Sequence, residues 1–368
     1  MAIYKIFPEK SATLYSYYPT TNTGNDEILD LSTYLTIGGA YEVSRPIITF
    51  SQTEIDDVIT NKVSGAAYDA YLRLSLADAA QLPINYTIEC YPLYAGYGYW
   101  DRGTGRLANS PAITDGASWT TFDQIGGTDW YDPNSLPIDT DYNDDGTNIG
   151  GGLWWDTYYT DQTFTNVDSK DIEISVSNIV KDWWNQTIDN NGFILKHENS
   201  IEFNSIQPVE LKYFSANTHT IYPPCLEIRW DDFIYNTGSL VPITTPKIVA
   251  TLANNQSEYQ QDSVQRFRVN IRDKYPARVF STTSLYTNNK VFLESSLPLY
   301  QIKDLDTEEI VVDYDDNYTK VCCDPTSNYF DVYMNGLEPE RYYKILIKYT
   351  VDGTTQILDD NYYFKVIR

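Results

Sequence analysis

Histidine, methionine and cysteine are scarce in this chain of 368 residues, at 2, 2 and 4. With only His197 and His219, imidazole chemistry has little to work with. Neither has a neighbour pattern for metal binding, and both read as solvated loop or strand-end residues. Cys90, Cys225, Cys322 and Cys323 share no repeated spacing, and the adjacent pair would point to opposite faces of a strand. No Cys-x-x-Cys with histidine partners occurs. The cysteines therefore read as small buried apolar side chains of a reducing compartment, not as a zinc site or a disulfide scaffold. Also missing are a Gly-x-Ser-x-Gly elbow, a His-Glu-x-x-His pair, a Gly-x-Gly-x-x-Gly turn and a phosphate-binding loop. Positive charge is in deficit: 26 basic against 51 acidic residues leave a net charge of -25 and a pI near 4.3. That argues against a protein that coats DNA, RNA or an anionic bilayer, each of which needs concentrated positive charge. No window approaches the roughly 18 continuous apolar residues of a membrane-spanning helix. The opening MAIYKIFPEK lacks the apolar stretch and small-residue cleavage site of a signal peptide, so synthesis and folding in a cytoplasm are expected.

What is present is a chain that should fold, with 42% hydrophobic and 15% aromatic residues, 33 of them Tyr. Its length suits one very large domain or two to three ordinary ones. Short runs rich in β-branched and aromatic residues, bounded by Gly, Pro, Asn or Asp, recur at Ser11 to Tyr15, Pro46 to Phe50, Ala70 to Leu76 and Tyr86 to Pro92. More follow at Asp171 to Val176, Gly192 to Leu195, Leu211 to Phe214 and Leu226 to Trp230. Such strands without long intervening helical patterns predict a sandwich or jelly roll. Two short helices interrupt them. One opens at Ser51 with a Ser51/Glu54 capping box, and the other lies near Ser177 to Trp184.

Residues from about 96 to 168 are rich in Gly and Asp and show little periodicity, so they read as a long inserted loop. After Trp230 the breakers Gly238, Pro242 and Pro246 mark a linker. Strands are then expected at Val264 to Ile271, Ile310 to Tyr314, Tyr329 to Tyr333, Tyr342 to Tyr349 and Tyr362 to Ile367, with an Asp352–Gly353 hairpin turn. The expected class is all-β. A jelly-roll β-sandwich over 1–232, with the insertion at about 96–168 and two short helices, precedes a linker over 233–246. A smaller immunoglobulin-like β-sandwich follows over 247–368.

Trp100, Trp119, Trp130, Trp154 and Trp155 punctuate the insertion, and large aromatics in Gly-rich sequence pin loops onto a surface or a partner. Together with Tyr158 and Tyr159 they are the candidates for a protein interface or for stacking on a glycan; covering of sheet faces and edges explains the tyrosines equally well. The loop acids Asp101, Asp129, Asp132 and Asp156 lie near Trp residues, as a glycan hydrolase would have them, but no catalytic pair is assigned. Asp141, Asn143 and Asp145, ahead of Gly146, match the first positions of a calcium loop. The match fails at Gly152, where the bidentate Glu belongs. A solvated Asn-Asp-Gly turn is the favoured reading there, calcium the alternative, and no other cofactor is expected.

Several segments in order resemble the DNRLRE-type jelly-roll domain family over the first 230 or so residues. They are SATLYSYYPTTNTGNDEILDLS, SRPIITF, AYLRLSL, DIEISVSNIVKDWWNQTIDNNGFIL, IEFNS with Phe203 and Ser205, and PPCLEIRW. In that resemblance Trp183 is a structural core anchor and Asn191–Gly192 a structural turn, and no catalytic residue carries over. The whole chain also resembles virion structural proteins of tailed phages, particularly large marine and T4-like ones, through MAIYKIFPEKSATLYSYYPTTNTGNDEI and LKYFSANTHTIYPPCLEIRWDD. The resemblance implies a non-enzymatic virion component, docking on other capsid, neck or tail proteins as an accessory or decoration. It also implies a homo-oligomer on a symmetric particle, with no direct nucleic-acid or membrane partner. The alternatives are a carbohydrate-binding adhesion module of a tail or head fibre and, less favoured, a glycan hydrolase.

Overall fold

Alternating side chains become paired strands throughout the computed structural model. It describes residues 2–35, 41–94, 99–123, 128–130, 138–141, 149–165, 167–202, 208–253, 255–276 and 289–368. The architecture is all-β and of the sandwich type, in two compact units. One unit comprises residues 6–62 and 69–227; the other comprises 1–5, 63–68 and 228–368.

The unit of residues 6–62 and 69–227 is built on an eight-stranded sheet. Its order runs Thr160–Thr165, Asn85–Pro92, Phe193–His197, Tyr41–Phe50, Ile28–Leu35, Val209–Phe214 and Leu76–Ala80, and Pro8–Tyr15 also pairs with Tyr41–Phe50. Its pairings are antiparallel. Distant segments meet at its centre, where Phe193 lies opposite both Ile48 and Pro92. The strand Ile172–Ser175 pairs with residues 71–74, and Arg73 bonds Glu227 at 2.9 Å.

Helix Gln52–Asp57 begins after Ser51 as expected, but the Ser51 side chain makes no capping bond, and the helix widens into a π-helical turn over Val58–Val63. Burial of Ile55, Val58 and Ile59 holds it in place of the cap. Helix Ser177–Trp184 lies against it and buries Ile179, Val180 and Trp183. Sequence reasoning missed the strand Thr160–Thr165, which pairs residue for residue with Asn85–Pro92 inside the expected loop. Only Phe164 in TDQTFT is buried, so the apolar alternation that marks a strand is absent.

The other unit stacks two six-stranded sheets. One centres on Val264–Asp273 and Asn328–Tyr333, the other on Leu299–Asp304, Tyr342–Val351 and Tyr363–Ile367. Every second residue turns inward: Phe267, Val269 and Ile271 from one sheet meet Ile345, Ile347, Phe364 and Val366 of the other. Asp352 (φ 51°) and Gly353 (φ 71°) both take positive φ between Val351 and Thr354, the two-residue turn that matches strand twist. Residues 233–246, read as a linker, are tied into this unit. Tyr235 donates to Phe292 O at 3.0 Å, Asn236 N to Cys323 O at 3.1 Å, and Ile243 is fully buried. All four cysteines are buried free thiols.

Candidate functional site

The Gly150–Gly151–Gly152 run starts the strand Ile149–Trp155, and its chemistry is steric. At Gly151 (φ 81°) a Cβ would stand 2.6 Å from the Trp119 ring, so only glycine lets the backbone pass. Gly151 N donates to Trp119 O, and Trp154 then drops into an apolar cluster with Trp100, Trp119, Trp130, Phe122, Leu14 and Ile194. Each indole with a defined bond points its N–H at a fixed acceptor. Trp130 Nε1 donates to Ser118 O at 2.7 Å, and Trp100 Nε1 donates to Thr49 Oγ1 at 2.9 Å and Asn191 O at 3.0 Å.

A charged network threads this cluster. Arg45 donates from Nε and Nη2 to the two Glu202 oxygens at 2.9 and 2.8 Å and from Nη1 to Gly151 O at 3.0 Å. Its guanidinium lies 5.2 Å from the Trp119 ring centre and 5.1 Å from that of Trp154. Both members of the pair are fully buried. Lys196 Nζ bonds Glu89 at 3.1 Å and Asn199 at 2.7 Å, and lies 3.9 Å from Glu202. Burial alone would raise the Glu202 carboxyl, but Arg45 and Lys196 outweigh it and hold it below the usual range. His197, expected at a solvated strand end, is instead enclosed, with Nε2 3.3 Å from Leu31 O. Burial pushes it down to about 4 against the pull of Glu202. His219 is exposed.

A second polar hub fixes the loop that follows Trp100. Asn22, buried, donates from Nδ2 to Arg102 O at 2.8 Å and Ala117 O at 2.9 Å; its Oδ1 accepts from Gly24 N at 3.2 Å and Gly105 N at 2.8 Å. All four valences of the amide are used. The turn before Phe193 is equally constrained. Gly192 (φ 96°) has no room for a Cβ, which would lie 2.2 Å from Ile48 O, and its carbonyl accepts from Leu93 N at 2.8 Å. Trp183 packs on Phe193 with ring centres 4.6 Å apart.

The nominated residues thus separate. Trp100, Trp119, Trp130 and Trp154 are 0–4% exposed inside their own unit and offer no ring to a partner, which corrects their reading as interface or stacking residues. Trp155, Tyr158 and Tyr159 remain at the surface, with Tyr159 60% exposed. Trp155 contacts Tyr94 edge-on at 5.0 Å and Tyr158 at 6.2 Å, while Tyr159 stacks separately on the buried Tyr91 at 5.6 Å. Asp101 is hydrogen-bonded to Asp123; burial and that neighbour push its carboxyl up. Asp129 and Asp156 are exposed. Of the calcium candidates, Asp141 ends the strand Ile138–Asp141, whereas Asn143 and Asp145 lie outside the described residues, as do Asp132, Phe203 and Ser205. Among the described residues no group of three or more metal-binding side chains converges. Asn22, Arg45 and Glu202 were missed as site-builders. The available signals were the triple glycine and a lone Arg inside an apolar strand.

No protein-family model matches the chain, and no curated protein does. Among solved structures the chain is similar to a β-glucuronidase of Parabacteroides merdae with glycerol in its active site, at 8% identity and a TM-score of 0.16. The match covers 98% of this chain and 35% of that one, so the chain spans about a third of that enzyme's length. A score so low carries no argument about fold or activity.

Proposed function

We propose that this chain is a non-enzymatic structural component of a tailed-phage virion, a capsid, neck or tail accessory protein that docks on other virion proteins. In this reading its larger unit is a jelly roll and its smaller one an immunoglobulin-like sandwich. The carrying observation is a set of aromatic rings left at the surface: Trp155 packed with Tyr94 and Tyr158, and Tyr159 stacked on Tyr91, which itself rests on the buried Trp154. Rigid aromatic rings lose little entropy on contact and supply much of the energy of protein interfaces. The net charge of -25 favours a particle exterior over a DNA-lined channel.

The same rings, Tyr159 exposed and Tyr94, Trp155 and Tyr158 half-buried, lie in sequence beside the exposed Asp156 and Asp161 and favour one second reading, a glycan-binding adhesion module. Cryo-electron microscopy of particles carrying wild-type chain or Tyr159→Ala separates the two. Docking predicts chain density packed against neighbours at residues 155–159 and reduced incorporation of the variant at an unchanged unfolding midpoint. Glycan binding predicts an outward-facing patch, normal incorporation and loss of array binding. Absence of the chain from the particle sinks the virion reading.

A further inference from the structure

Away from the aromatic patch, the unit of residues 6–62 and 69–227 holds a cavity of about 490 Å³ between the segment after Asn22 and the 106–108 loop. The volume lies within the roughly 300–1,000 Å³ typical of ligand sites. Its wall is braced before any ligand arrives. Leu107 N donates to Asp26 Oδ2 at 3.0 Å, Asn25 Nδ2 donates to Thr104 O at 2.9 Å, and the Asn22 hub holds both flanks.

Charge in the lining does not balance. Asp26, Glu27 and Asp30 face Arg106 and Lys212, but both cations are already engaged. Arg106 lies 3.4 Å from Glu27, while Lys212 lies 3.5 Å from Glu210 and 3.7 Å from Asp78. His219 adds only an exposed contact to Glu27 at 3.8 Å. Among the described residues neither Asp26 nor Asp30 has a cation within ion-pair distance. Asp30 Oδ2 accepts from Tyr15, and its buried Oδ1 has no hydrogen-bond partner. Burial pushes both carboxyls up, and the more distant pull of Arg106 on Asp26 and of Lys212 on Asp30 offsets only part of it. Ile28, Leu107 and Ala108 give the same cavity an apolar side.

We infer that this cavity receives a basic side chain, a lysine or an arginine, from a partner protein. Such a side chain joins an aliphatic stem to a cationic donor, matching the apolar side and the only partly neutralised carboxylates together. A neutral sugar would leave both charges uncompensated, and a bare metal ion would leave the apolar side unused. The inference rests on the docking reading for its partner, though the site itself belongs to the isolated chain.

The test is calorimetric titration of the full chain with Nα-acetyl-arginine amide and Nα-acetyl-lysine amide, against Nα-acetyl-glutamine amide and methyl glucoside. Saturable binding of the cationic probes alone is expected, weakened about tenfold in each of Asp26→Asn and Asp30→Asn. Both variants keep shape while removing a charge that burial disfavours, so their unfolding midpoints should hold or rise. Cationic probes that bind no better than the glutamine amide, binding unaltered in both variants, or preferential binding of the glucoside would each overturn the inference. Because the particle plays no part in the titration, failed incorporation into virions alongside intact probe binding would count against the docking reading alone.

Discussion

Arg45→Met asks whether the buried ion pair holds the Gly150–Trp155 segment onto the sheet. Methionine keeps most of the side-chain volume but leaves Glu202, fully buried, without its bidentate partner. Breaking one side of a buried pair costs about 3–5 kcal/mol. The lost bond to Gly151 O adds about 1 kcal/mol, and Lys196, 3.9 Å from Glu202, offsets part of the total. A net loss of about 4 kcal/mol is expected for this unit. Tryptophan fluorescence during urea unfolding reads it selectively, because every Trp except Trp230 lies in residues 6–227. The decisive arm is the double variant Arg45→Met/Glu202→Leu. With both charges gone and apolar volume restored, most of the lost stability should return, since such replacements are often neutral or stabilising. A loss below about 1 kcal/mol in the single variant, or a double variant no more stable than the single, would show that the pair does not hold this segment in place.

Asn22→Ala should strand the buried Ala117 carbonyl, the half-buried Arg102 carbonyl and two buried N–H groups, at about 1–3 kcal/mol for each that water cannot reach, for a total of about 4 kcal/mol or more. Accelerated proteolytic cleavage within 102–117 is the matching readout, and unchanged cleavage would contradict it. His197 binds its proton only near pH 4 when folded, but near 6.5 when unfolded. Its contribution is therefore present above about pH 6.5 and is lost as pH falls towards 4, by about 3 kcal/mol. Unfolding curves across that window should flatten in His197→Gln; an undiminished pH slope in that variant would assign the loss to other groups.

Much of the smaller unit was legible because its strands follow the period-two rule. Val264–Asp273 and Tyr342–Val351 alternate inward and outward along their lengths, and Asp352–Gly353 is a turn that local backbone sterics alone can specify. Leu299–Asp304 escaped because it is buried at nearly every position and shows no alternation. Thr160–Thr165 escaped for the opposite reason, having a single buried residue. In the candidate site, Trp155, Tyr158 and Tyr159 were nominated on residue type, but residue type does not say which rings face water.

Neighbours along the chain suffice to set strand propensity, the two short helices, the turn glycines and the acidic balance. Folding alone reveals that four of the insertion's tryptophans fill a core, that Arg45 finds Glu202 157 residues away, and that Asn22 closes a loop 80 residues further on. Burial and ion pairing are set by which segments the sheet brings side by side. Non-adjacent strands occupy its centre, so no local pattern records that choice.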